Sequence, residues 1–196
     1  MQQACGKLID NNLTREELIP HISIEKTTFQ DAPQILKTLM KSGFGIKNEQ
    51  EVLYQLLYSN ADLNNSVKLI DNRTNEIYGL LIFSKYTLRQ GSPLPFISPK
   101  LMQILDNFTQ LNGFAFVIDE RLRGTSFDKK MLTKNKDFIN QYDFIWCAVE
   151  ENLKSHNYWK KLGFYEIANI PEARFYIRLQ NKSKFADIYN KSISAK

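Results

Sequence analysis

The chain has 196 residues, of which 43% are hydrophobic and 12% aromatic, the composition of a globular domain and not of a disordered one. Its net charge is +5, but residues 181–196 hold four lysines against one aspartate, so that stretch carries +3 and the body only +2. So weakly basic a body leaves no electrostatic footprint for nucleic acid, and two cysteines with two histidines give no zinc-ligand spacing, so neither nucleic acid nor a metal is expected.

One domain, residues 1–196, fits this length, and such a chain can bury a sizeable core. No apolar run approaches the roughly 18 residues of a membrane span, and no basic segment followed by an apolar run opens the chain. Neither a membrane segment nor a signal peptide is therefore expected. Cys5 and Cys147 lie far apart and read as free thiols in a reducing compartment, which implies a cytoplasmic protein. The aromatics alternate with apolar residues, as core positions do, and not with Lys and Arg, a second point against nucleic acid.

Residues 1–20 form a polar lead-in with a short helix expected around Thr14 to Leu18. His21 to Lys26 alternates as a strand. Thr28 and Asp31 make a capping-box start, with Pro33 allowed in the first helical turn. Ile35, Leu36, Leu39 and Met40 then form one apolar helix face, and Gly43 ends the helix. Glu49 to Tyr58 carries a second stripe of Val52, Leu53, Leu56 and Leu57. Val67 to Ile70 and Ile77 to Phe83 read as a strand pair joined by the turn-rich Asp71–Asn75.

Residues 85–110 read as an insertion. Gly91 to Pro99 contains three prolines, and Ser98 and Pro99 open a helix with the stripe Leu101, Leu105 and Phe108. Two readings stand: a segment that shapes a substrate site, or a surface elaboration packed on the sheet. Phe114 to Ile118 is an apolar run that suits a strand buried on both faces. A polar turn follows, with Gly124 permitting unusual backbone, and then a helix from Ser126 as cap to about Asn140. Phe144 to Val149 is another apolar strand. Tyr165 to Ala168 and Arg174 to Leu179 close the chain as an antiparallel pair around Pro171, and residues 181–196 form a flexible basic tail.

The strand–turn–helix at residues 114–131 leaves backbone N–H groups pointing out of a helix N-terminus, where partial positive charge suits a phosphate. An ordinary strand–helix connection without a ligand has the same outline. Arg123-Gly124-Thr125-Ser126-Phe127-Asp128, followed by Met131-Leu132, resembles the acetyl-CoA loop of the GNAT N-acetyltransferase superfamily, R-G-x-G-x-G or A and then L-L. Ser126 and Asp128 stand where that loop has its later small residues. Downstream, Asn152, Ser155, Tyr158, Trp159, Lys161, Gly163 and Phe164 resemble the family's N-x-x-A-x-x-x-Y-x-K-x-G-F. Ser155 replaces the alanine. Trp159 replaces the tyrosine that often protonates the leaving thiolate, and Tyr158 sits one position earlier, a step of about 100° round a helix.

The resemblance covers roughly residues 21–180 and implies an α/β (α+β) fold. Its central sheet would be mixed and mostly antiparallel, with a parallel strand pair in the middle and helices on both faces. It implies acetyl-CoA as cosubstrate and acetyl transfer to a primary amine by direct attack. The acceptor would be a small molecule or a peptide, and a homodimer is compatible. Backbone at Phe116 and Ile118 would pair with pantetheine. Amides from Arg123, Gly124, Thr125, Ser126, Asp128 and Lys129 would hold the pyrophosphate, with Arg123 and Lys129 adding charge. Asn152 would hydrogen-bond the pantetheine arm, Trp159 would wall the cofactor and Tyr158 is the candidate acid. Gly43 to Gly45 would face the acceptor. Candidate bases are Asp119, Glu120, Glu150 and Glu151 at strand ends, and His156 and His21 have weaker claims. The alternative is a GNAT-fold binding or regulatory module, because an Asp128 carboxylate can satisfy the same amides as a phosphate.

Overall fold

The computed structural model describes residues 13–42, 48–58, 61–91, 97–150, 156–171 and 173–187. The lead-in helix is α1 (Arg15–Leu18), with Thr14 and Glu17 closing a capping box. Strand β1 (Ile22–Lys26) leads to helix α2 (Ala32–Lys41) through a 3-10 turn capped by Thr28 and Asp31. In α2, Ile35 and Leu39 are buried, but Met40 is 45% exposed, because one further residue carries its side chain out of the stripe. Helix α3 (Glu49–Tyr58) packs Leu56 inward. Gly43 to Gly45 lie outside the described residues.

Strands β2 (Ala61–Asp71) and β3 (Ile77–Ser84) pair antiparallel as a hairpin. Gly79 is required there, since a Cβ would lie 2.7 Å from Leu69 Cδ1 and 3.0 Å from the Val117 carbonyl. Helices α4 (Leu88–Gly91) and α5 (Pro99–Leu105) form the described part of the insertion. Then come β4 (Gln110–Ile118), α6 (Phe127–Lys134), α7 (Lys136–Ile139), β5 (Phe144–Glu150), α8 (His156–Lys161), β6 (Tyr165–Asn169) and β7 (Ala173–Leu179). The helix expected to run unbroken to Asn140 is interrupted at Asn135, a buried residue whose side-chain oxygen accepts a hydrogen bond from Lys26 Nζ at 2.6 Å.

The seven strands make one sheet in the order β1-β2-β3-β4-β5-β7-β6. Its pairings are antiparallel, apart from the parallel contact of β4 with β5. The fold is therefore the mixed α/β architecture expected, with helices on both faces. On one face, α1, α6, α7 and α8 cover a core that includes Leu18, Leu69, Phe127, Met131, Ile145 and Tyr176. On the other, α2 and α3 bury Ile35, Leu39 and Leu56 over β2 and β3. The insertion packs Leu88, Met102, Leu105 and Phe108 over Phe144, Trp146, Phe175 and Ile177. The insertion is thus a layer of the core. Residues 182–187, grouped by composition with the basic tail, are helical. Lys184 Nζ reaches Asp143 at 2.6 Å, and Phe185 stacks on Phe108 at 5.9 Å.

Candidate functional site

The parallel contact between β4 and β5 lasts only three residue pairs, from Gln110–Phe144 to Asn112–Trp146. Two local features end it. The Asn112 side chain donates from Nδ2 to the Trp146 carbonyl at 3.4 Å and accepts from Ser84 Oγ at 2.6 Å. In addition, pairing between β3 and β4 steps from Ile82–Ala115 to Phe83–Gly113, so Phe114 is an extra residue in β4. Such a bulge bends its strand. Past this point β4 stays with β3 and β5 stays with β7, and a wedge opens between them.

The wedge explains why β4 differs from the strand expected. Phe114, Phe116, Val117 and Ile118 are only half-buried, because the neighbouring strand has parted from them. On β5, Ala148 is exposed while Cys147 and Val149 are buried. The backbone of β4 also turns toward the opening. Asp119 N donates to the Tyr78 carbonyl at 2.8 Å, which makes Gly79–Ile118 a non-hydrogen-bonded pair. The N–H and C=O of Ile118, and two residues back those of Phe116, therefore point away from β3.

The loop after β4 arches over the top of the wedge. Asp119 caps a 3-10 turn, Glu120–Leu122. Gly124 has φ +75°, and Ser126 has φ +70°. Ser126 occupies the cap position but makes no side-chain capping bond. It holds instead the left-handed backbone that a glycine would hold. Among the described residues, the amides of Ser126, Phe127 and Asp128 donate to no protein group, as at any helix start. Arg123, Lys129 and Lys130 are exposed around them. The amides of Arg123 and Thr125 are taken within the turn, by the carbonyls of Glu120 at 3.2 Å and Leu122 at 3.3 Å. Arg123 Nε donates to the Ile118 carbonyl at 3.4 Å.

Asp128 neither folds squarely over the free amides nor turns to solvent. Its Oδ1 accepts the Lys129 amide at 2.8 Å, and its Oδ2 accepts the Tyr158 hydroxyl at 2.8 Å. Burial, with the Asp128 hydrogen bond and charge adding to it, pushes the Tyr158 phenol far above its ordinary value. Tyr158 also stacks on Phe116 at 6.1 Å between centroids, and Trp159 meets Phe116 at 5.7 Å and Phe164 at 5.1 Å. These rings join α8 to β4 across the wedge. Gly163, with φ +83°, turns the chain from α8 toward β6, and Phe164 is buried.

The expected bases fare unequally. Asp119 is held by Arg121, Nε at 2.9 Å and Nη2 at 3.0 Å, and that guanidinium also lies over the Tyr78 ring. Burial raises the Asp119 carboxyl, but the Arg121 bonds outweigh it and hold the group below its ordinary value. This carboxylate is a structural partner and a poor base. Glu120 is exposed. His156 Nδ1 lies 3.1 Å from the hydroxyl of the fully buried Tyr176, a partner that sequence spacing does not reveal. His21 ends a 3-10 turn at the start of β1, away from the wedge. Cys147 is buried, and burial pushes its thiol up. Cys5, Glu151, Asn152 and Ser155 lie outside the described residues.

No family model matches the sequence, and no curated protein matches it. Solved structures do match in shape. The PaiA N-acetyltransferase of Thermoplasma acidophilum, in complex with coenzyme A, superposes with a TM-score of 0.54 at 8% identity, over 81% of this chain and 98% of that one. Ard1 of Thermoplasma volcanium gives 0.59 at 14% identity, over 81% and 97%. The NatC complex bound to Gag peptide and CoA gives 0.57 at 15% identity, over 81% and 98%. The chain has the fold of the GNAT acetyltransferases, and the wedge with its glycine-bearing loop is where two separate parts of its sequence meet.

Proposed function

We propose that the protein is an acyltransferase that moves an acetyl group from acetyl-CoA to a primary amine. The observation that carries this reading is the wedge, with β4 backbone turned away from β3 on one wall and unpaired amides of Ser126, Phe127 and Asp128 at its top. The residues fit a CoA. Phe116 and Ile118 offer backbone groups to a pantetheine arm, and the amides of Ser126, Phe127 and Asp128, beside Gly124, would hold a pyrophosphate, while the Thr125 amide is already taken by the Leu122 carbonyl. A Cβ added at Gly124 would meet no protein atom within 4 Å, so the space beside the loop is open. Arg123 and Lys129 supply charge, Trp159 walls the arm, and Asn152 is assigned to it by the resemblance alone.

Acetyl-CoA, when bound, supplies an activated thioester carbonyl. The amine must arrive neutral, so a proton has to leave it through a base or a water path. Asp119 is committed to Arg121 and does not serve. The acceptor, a small-molecule or peptide amine, enters from the face of exposed Ala148, because the opposite side is bridged by Phe116, Tyr158 and Trp159. Tyr158 is the candidate acid for the departing thiolate once its hydroxyl is released from Asp128. A phenol held above its usual value of about 10 passes a proton uphill to a thiolate whose acid lies near 8.5, so it acts chiefly as a hydrogen-bond donor and water can complete the transfer.

A second reading is favoured by one observation: Asp128 already accepts the Lys129 amide. On that reading the domain binds or regulates and takes CoA weakly or not at all. Calorimetric titration with acetyl-CoA and with CoA separates the two. Micromolar binding, worth about 8 kcal/mol, is expected. Arg123→Glu should weaken it by ~2–3 kcal/mol or more, a loss of about 30- to 150-fold. No heat at millimolar cofactor with folded protein would leave the binding-module reading standing.

A further inference from the structure

We propose that Asp128 and Tyr158 form an autoinhibitory latch that holds the donor cleft closed until the donor itself breaks it. This rests on the acetyl-CoA reading of the wedge and adds its regulation. Asp128 lies in the first turn of α6, and Tyr158 lies on α8. Their 2.8 Å hydrogen bond therefore ties the phosphate-side helix to the helix on the far wall. The same contact sets the Tyr158 ring on Phe116 of β4, with Trp159 beside it. Hydrogen bond and rings together close one side of the opening.

The latch is aimed at an anion. The carboxylate stands at the amides that a pyrophosphate would use, and it takes one of them through Oδ1. A carboxylate there repels a second anion and has to swing away before one can settle. When it swings, the Tyr158 hydroxyl loses its acceptor and is freed into the cleft. Loading of the donor and release of the candidate acid are thus one event. The phenol is held above its ordinary value and keeps its proton near neutral pH, and a competing anion is what releases the bond.

Asp128→Asn and Tyr158→Phe are nearly isosteric, and their fold is checked by circular dichroism. They are measured singly and together. The first readout needs no ligand: acrylamide quenching of tryptophan fluorescence. Trp146 is 3% exposed, so quenching reports Trp159. The second readout is CoA affinity by calorimetry. Expected are stronger quenching in both single variants and about tenfold tighter CoA binding in each, with the double variant no tighter than the better single. Unchanged quenching in both variants overturns the latch. Tighter binding in Asp128→Asn with none in Tyr158→Phe also overturns it, since the carboxylate then acts by charge alone. Stronger quenching with no CoA binding to native protein or any variant keeps the closure and overturns the donor reading instead.

Discussion

Ser126 pays a conformational penalty that its neighbour Gly124 does not. Both have positive φ, but only a glycine adopts that region without strain, and a side chain there costs roughly 1–2 kcal/mol. Ser126→Gly should therefore raise stability by about 1 kcal/mol in a urea titration, after the glycine's own entropy cost is subtracted. The left-handed turn at Gly124 could be read from the residue itself. That at Ser126 was legible only through the register of the resemblance. The Asp128–Tyr158 contact was not legible, because it joins positions 30 residues apart and depends on how α8 sits over β4. The Asn112 amide that helps end the parallel ladder gave no signal either, since an asparagine inside a strand looks like any polar interruption.

Most elements were legible because each carries its own period or punctuation. The β2–β3 hairpin, the capping box before α2 and the apolar β5 are local properties of short stretches. The bulge at Phe114 and the break at Asn135 are not local, because each answers a partner elsewhere in the chain. The insertion shows the difference best. Its helix stripe of Leu101, Leu105 and Phe108 could be read, and packing on the sheet was one of the two readings, but which strands it covers could not be read. Leu105 is 1% exposed and sits in the cluster with Phe144, Trp146 and Phe175. Leu105→Ala should cost about 2–5 kcal/mol by chemical denaturation, as a core leucine does and a surface loop does not.

At the scale of the whole molecule, several carboxylates are held low by basic partners. Arg73 lowers Asp71 and Arg89 lowers Asp106, both chiefly through side-chain hydrogen bonds. For Asp119 and Asp143 burial pushes upward, but Arg121 in one and Lys184 with Thr109 in the other outweigh it. Each therefore releases its proton more readily folded than unfolded, where the ordinary value is 3.8. Their contribution is complete above that value and is lost as pH falls through the lower folded values. Thermal melts should show a nearly level stability from neutral pH to about 5 from these groups, and a steep fall below about 4.

The division of the helical layers has a mechanical consequence. On the face of α1, α6, α7 and α8, one continuous cluster spans both halves of the sheet. On the other face, the cluster under α2 and α3 is separate from the one under α4 and α5, and between β4 and β5 the sheet is joined through three residue pairs at one end, with the Asn112 and Thr109 hydrogen bonds beside them. The molecule is thus two plates with a stiff back and a compliant front. Flexing that changes the gap between the two front clusters need not disturb the packing inside either. The angle between β4 and β5 is the soft coordinate of the fold, and it can adapt to whatever enters the wedge while both plates keep their shape.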